Sequence, residues 1–171
     1  MALQPGLHYS WSVDSFQIFG LQFLLSLVAY GLLAKWYVAP RLARLPLHDA
    51  LIPLLVPHAF RHLGLVFLVP AVVAPTLPPA FARPAAYGDL LAGLLALLAM
   101  VALRSRWALA LPLTWLFNIV GTLDLLHAFY RGIPLDAGRH MGSAWYIPTF
   151  IVPALFVTHF MIFAMLLKRP R

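Results

Sequence analysis

Residues 50–73 read "ALIPLLVPHAFRHLGLVFLVPAVV", and His58, Arg61 and His62 are the only ionisable side chains in the run. A hydrocarbon core takes about 20 apolar residues in helical form, and this stretch is long enough. Four other segments match it: Phe16–Val38, Tyr87–Leu103, Trp107–Tyr130 and Ala144–Leu167. Within lipid every backbone N–H and C=O must find a partner inside its own segment, so each is expected to be an α-helix. The sequence therefore predicts an all-α integral membrane bundle of five transmembrane helices, in one domain over residues 1–171.

Composition agrees. Hydrophobic residues make up 63% of the chain and charged ones 10%, against about 25% charged in soluble domains. A chain of 171 residues could not hide that much apolar surface from water, because small domains keep a high surface-to-volume ratio. With no cysteine, disulfides, thiolate metal sites and Cys nucleophiles are excluded.

The net charge of +7 suggests nucleic acid until the charges are sorted by side. Lys35, Arg41, Arg44, Arg104, Arg106, Lys168, Arg169 and Arg171 fall on one side of the spans, and Arg83, Arg131 and Arg139 on the other. Positive charge concentrates on cytoplasmic loops, so the N-terminus is expected outside and the C-terminus in the cytoplasm. The basic charge then reports topology, and no nucleic acid is implied. Trp11, Trp36, Tyr37, Tyr87, Trp107, Tyr130, Trp145 and Tyr146 sit near the expected span ends, where amphipathic rings settle. Met1–Ser15 carries no Lys or Arg, so the first span is read as retained rather than as a cleaved signal. The longest connections are a stiff, Pro-rich Ala74–Ala86 and a Gly-bearing, more mobile Arg131–Ser143.

Ionisable groups inside spans are costly, and they mark functional sites by default. The polar groups here are the ionisable His58, Arg61 and His62 on the second span, Asp124 and His127 with the neutral Asn118 around the fourth, and His159 on the fifth. Asp89 is expected at the outer mouth of the third, while Gln22, Ser26 and Tyr30 line one face of the first. In an α-helix His58, Arg61 and His62 project from one side. Counting rise along the spans sets His58 level with His159, and Arg61 level with Asn118. Pro53, Pro57, Pro148 and Pro153 each remove a helical donor, leaving the carbonyls of Asp49, Pro53, Ala144 and Thr149 to other partners. Kinked second and fifth helices would enclose a cavity, with Gly121 permitting close approach.

Several readings fit this cluster. Arg61 would pair with Asp124 or Asp89, since an unpaired intramembrane charge is hard to sustain. His58, His62, Asp124 and His127 would supply a mixed shell for a zinc or iron ion. Against it, the chain contains no Glu and so no HExxH motif, and Arg61 stands between the histidines. His58 and His159 would ligate a haem b across the bundle. A lipophilic small molecule would bind with His and Asp as acid–base groups. With no chemistry at all, the polar residues would hold helices together in an accessory or structural subunit of a larger membrane complex. The favoured expectation is a polar cavity among spans two, four and five that binds a small ligand or cofactor, with catalysis left open. His8, His48 and His140 carry no functional reading.

"LLVPHAFRHLGLVFLVP", "FNIVGTLDLL" and "WYIPTFIVPALFVTH" resemble segments of an uncharacterised family of small multi-pass bacterial inner-membrane proteins. The resemblance implies a multi-pass setting in a bacterial inner membrane and carries no catalytic residue across.

Overall fold

The computed structural model describes residues 14–168 of the chain. Trp11, His8, Arg169 and Arg171 lie outside the described residues. Among those described, five helical stretches are long and apolar enough to cross a membrane: Ser15–Leu42, Leu47–Leu68, Pro79–Arg104, Ala110–Gly132 and Gly142–Leu167. No strand forms among them, and Pro70 and Val73 make a single isolated bridge. The fold fits a multi-pass membrane protein.

The first stretch begins with α1 (Ser15–Leu33), whose N-cap Asp14 accepts a hydrogen bond from Phe16 N–H at 3.2 Å. No residue of α1 is buried. A π-turn over Ala34–Val38 follows, then α2 (Ala39–Leu42) with Pro40 in its first turn. The wider π-turn lets Ala39 N–H reach the Ala34 carbonyl just before the proline, which has no N–H to give.

The second stretch changes character after its prolines. α3 (Leu47–Ala59) contains Pro53 and Pro57, and beyond it Phe60–Leu68 winds as a 3₁₀-helix. Runs of 3₁₀ longer than three or four residues are uncommon, and one in mid-span often marks a functional or strained segment.

α4 (Pro79–Arg104) is the central helix, packed against α3, the 3₁₀ segment and α5 (Ala110–Gly132). Its buried face is a stripe of small residues: Ala82, Ala85, Ala86, Ala92, Gly93, Ala96, Ala99 and Ala102. Such residues let helix backbones approach closely where lipid supplies no hydrophobic drive. A β-carbon on Gly93 would stand 3.4 Å from His62 N and 3.6 Å from the His58 carbonyl. The third span was expected to be the shortest, Tyr87–Leu103, preceded by a stiff loop. It instead starts eight residues earlier (87 − 79). The prolines explain the difference. Pro79 occupies the first turn, where a missing N–H costs nothing. Pro84 lies inside the helix, and Arg131 Nη2–H donates at 3.5 Å to Ala80, the carbonyl that Pro84 leaves free.

The connection expected to be mobile, Arg131–Ser143, is folded into short 3₁₀ turns at Ala137–His140 and Gly142–Trp145. It is tied to the other connection at that end of the bundle. Ala74 N–H donates to the His140 carbonyl at 2.9 Å, and Ser143 N–H to the Val72 carbonyl at 3.0 Å. Gly142 has φ +52°, and a β-carbon there would lie 2.6 Å from the Val72 oxygen, so only glycine fits this crossing. A π-turn at Ile147–Ile151 then leads into α6 (Val152–Leu167). The π-turn absorbs the Pro148 and Pro153 pair, with Val152 N–H bonded to the Ile147 carbonyl. At the opposite end, Arg106 Nη2 holds both carboxylate oxygens of Asp49 at 2.7–2.8 Å.

Candidate functional site

Arg61, in the first turn of the 3₁₀ segment, is buried, and its guanidinium gathers three helices. Nε–H donates to Asp89 Oδ1 on α4 at 2.8 Å. Nη2–H donates to Asp124 Oδ2 on α5 at 2.5 Å, and Nη1–H to the Gly121 carbonyl at 3.0 Å. The sequence offered Asp124 or Asp89 as the partner; the structure uses both, at once. Charge-assisted bonds of this kind are roughly twice as strong as neutral ones. One arginine against two aspartates leaves the cluster at −1 with both carboxylates ionised.

Asp89 was expected at the mouth of its span. Because α4 begins at Pro79, it lies well inside, on the small-residue stripe one turn from Ala85, Ala86, Ala92 and Gly93. The stripe makes room for a carboxylate among close-packed backbones. Two glycines complete that room. A β-carbon on Gly64 would strike the Asp89 carboxylate, and one on Gly88 would strike that of Asp124.

Beside the triad lies a neutral polar pair of rings. His58 and His159 are fully buried, with ring centroids 4.2 Å apart, so the depth match read from the sequence places them in contact. Phe117 packs on both, edge-on to His58 at 4.9 Å and stacked on His159 at 5.4 Å. Asn118 locks His159 from two sides: Nδ2–H donates to the His159 carbonyl at 3.2 Å, and Oδ1 accepts from His159 Nδ1–H at 2.6 Å. A carbonyl oxygen only accepts, so this contact assigns the Nδ1–H tautomer and leaves Nε2 as an acceptor. His58 Nε2 meets Thr158 Oγ1 at 2.8 Å, while that hydroxyl donates into its own helix at the Ala154 and Leu155 carbonyls. This assigns Nε2–H to His58. His58 Nδ1 and His159 Nε2 are buried and have no hydrogen-bond partner among the described residues.

Two of the expected site residues are not brought in. His62 is exposed, its Nδ1 turned to the Ala59 carbonyl at 3.0 Å. Its absence from the cluster follows from the helix type. At 3.6 residues per turn a residue four positions on returns to the same side, but at three per turn it swings about a third of a turn away. Arg61, three positions from His58, stays in line. His127 is also exposed, on the side of α5 away from Gly121 and Leu125.

The four-residue metal set His58, His62, Asp124 and His127 is thus not assembled. Asp124 is committed to Arg61, and among the described residues no group of three or more His or Asp side chains is arranged to hold a metal ion. The haem reading meets a different obstacle. Axial ligation by His58 and His159 would need the macrocycle between their rings, and the rings are packed against each other and against Phe117. Thr158, Phe117, Gly64 and Gly88 went unnoticed in the sequence. Thr158 is signalled only by its place next to His159, and Gly64 by sitting three residues beyond Arg61.

A cleft reaches the triad from the side. Its volume is about 50 Å³, with Arg61 and Asp89 on the floor and Pro57, Phe60, Leu63 and Ile151 among its walls. Phe60 and Leu63 are exposed, so the mouth opens on the apolar outer surface of the bundle. The cavity expected among the second, fourth and fifth spans is therefore a cleft of the second, third and fifth. A larger, mostly apolar pocket of about 80 Å³, lined by none of the triad residues, is bordered by Phe19, Phe129 and Trp145.

Residues 18–167 match the family model described as Domain of unknown function (DUF8737). The chain belongs to that family. No curated protein and no solved structure matches it. The matched span takes in the five long helices apart from the first three residues of α1, together with the triad, the histidine pair and the cleft.

Proposed function

We propose that this family member is a multi-pass protein of a bacterial inner membrane, N-terminus outside and C-terminus cytoplasmic, that binds a lipophilic small molecule by its polar head. The observation that carries the reading is the cleft: an ion pair, Arg61–Asp89, forms the floor of an opening whose walls are otherwise apolar. Ligand sites are mostly apolar concavities with a few convergent polar groups. An intramembrane charge that faces an opening, rather than closed protein alone, is a site by default. Nothing in the cluster resembles an activated nucleophile, so the reading is binding, with no reaction assigned.

The experiment is extraction. The chain is purified in lipid nanodiscs, and bound small molecules are identified by mass spectrometry beside the Leu63→Trp variant, which fills the mouth of the cleft. A lipophilic compound enriched with the wild type and depleted from the variant is the expected result. Identical extracts from two equally folded proteins overturn the reading.

A second reading has one observation in its favour. α1 buries no residue, and Leu21, Leu24, Leu25 and Val28 all stand exposed on it. A peripheral helix of this kind suits contact with another membrane subunit as well as with lipid. Co-purification of a stoichiometric partner in native membranes supports that reading, and a monodisperse lone chain counts against it.

A further inference from the structure

The floor of the cleft is specific about the head group it would accept. Asp89 uses Oδ1 for Arg61, and its side chain remains 13% exposed; among the described residues Oδ2 has no hydrogen-bond partner. Arg61 has five N–H donors, three of them engaged with Asp89, Asp124 and the Gly121 carbonyl. Both oxygens of a carboxylate are acceptors only, so whatever touches Asp89 Oδ2 favourably must bring a hydrogen to it.

Charge sharpens the selection. With both carboxylates ionised the triad sums to −1, from Arg61 against Asp89 and Asp124. Like charges repel more strongly where the dielectric is low, so a carboxylate or phosphate head is disfavoured at a site that contains an arginine. Size limits it further. A water needs about 10–15 Å³ of such space, so a cleft of about 50 Å³ takes a group of about three to five heavy atoms. The rest of the ligand must lie along Phe60, Leu63 and Ile151 towards the outer surface.

We infer that the cleft binds lipophilic molecules whose small head carries an N–H or O–H donor and no negative charge, the donor going to Asp89 Oδ2. This rests on the cleft being a ligand site. A primary ammonium and a primary alcohol share that chemistry. The ammonium also neutralises the triad, whereas the alcohol leaves its charge unchanged.

The test is a matched set of ten-carbon probes added to the purified protein in nanodiscs, read by thermal unfolding: decylamine, decanol, decanoate, decyltrimethylammonium and decane. Decylamine or decanol is expected to raise the melting temperature by several degrees, and decanoate, decyltrimethylammonium and decane to leave it unchanged. Leu63→Trp should abolish the rise. Which donor acts separates a cationic head from a neutral one. If decane or decyltrimethylammonium stabilises as much as the donors, the tail alone binds; the head-group inference then fails while the cleft reading stands. A stabilising decanoate overturns the inference in the same way. If no probe acts on the wild type, both readings fail. Asp89→Asn adds a check that does not depend on blocking the mouth: it keeps the shape, removes the charge, and should weaken decylamine more than decanol.

Discussion

Asp89 occupies the space that a β-carbon on Gly64 would need. The carboxylate that pairs with Arg61 is therefore seated in a mould formed by the same 3₁₀ segment that carries the arginine. Gly88 does the same for Asp124, one helix further on. Gly64→Ala and Gly88→Ala should each displace a carboxylate from Arg61. Overpacking alone costs about 1–3 kcal/mol, and parting a buried ion pair about 3–5 kcal/mol. Gly20 has open space around it, so Gly20→Ala is the control and should be neutral or slightly stabilising. Reversible unfolding in detergent measures all three. If Gly64→Ala behaves like Gly20→Ala, the mould has no energetic meaning.

The triad should behave as one unit. Arg61→Met leaves two buried carboxylates without their cation, and Asp124→Asn leaves Arg61 with a single anion. Arg61→Met is expected to cost about 3–5 kcal/mol, because uncompensated charge remains largely buried. Asp124→Asn leaves a balanced Arg61–Asp89 pair and should cost about 1.5–3 kcal/mol, the weight of a hydrogen bond to a charged group. The double variant leaves only Asp89 without its cation, one carboxylate instead of two, and should fall short of the sum by about 0.5–3 kcal/mol. A cycle closing to zero would mean that the short Arg61–Asp124 contact carries no coupling.

Much of this was legible beforehand, and the exceptions have physical causes. Span existence followed from hydropathy, a pairing of Arg61 with Asp124 or Asp89 from the cost of an unpaired intramembrane charge, and the equal depth of His58 and His159 from helical rise. His62 went astray because Phe60–Leu68 is a 3₁₀-helix, and nothing in local hydropathy distinguishes 3.0 from 3.6 residues per turn. Asp89 was set at a membrane boundary because Pro78, Pro79 and Pro84 read as loop residues. Proline is harmless in a first turn, and a distant arginine tends the carbonyl freed by Pro84. The alanine stripe through Ala85, Ala86, Ala92 and Gly93 was the available sign that Asp89 faces inward.

The Asn118–His159 lock and the His58–Thr158 contact should differ in weight. Asn118→Leu strips a partner from His159 Nδ1–H and from the His159 carbonyl, both buried. Leaving the buried Nδ1–H unpaired costs about 1–3 kcal/mol, while the carbonyl, inside α6, keeps its helical bond. His58→Phe removes one hydrogen bond, deletes the unpartnered Nδ1 and leaves the Thr158 hydroxyl its own carbonyls. Its cost should stay near or below about 1.5 kcal/mol. Comparing the two melting temperatures checks the order. Nitrogen-15 NMR of the histidine rings checks the tautomers directly, with Nδ1–H at His159 and Nε2–H at His58.

Orientation can be tested cleanly because the chain has no cysteine. Single cysteines at Ser105, in the turn between α4 and α5, and at Pro134, in the connection beyond α5, stand at opposite ends of the bundle, and both positions are exposed. Lys35, Arg41, Arg44, Arg104, Arg106 and Lys168 gather at the Ser105 end, with Arg83, Arg131 and Arg139 at the other. Charge bias of this kind sets the direction of insertion, positive loops staying in the cytoplasm. In intact cells a membrane-impermeant maleimide should label Pro134→Cys and spare Ser105→Cys until the membrane is permeabilised. The Arg106–Asp49 pair beside that turn is solvent-exposed, and such pairs contribute little to stability. Asp49→Ala should thus leave the labelling pattern unchanged. Labelling of Ser105→Cys first would reverse the orientation, and equal labelling of both would mean mixed insertion.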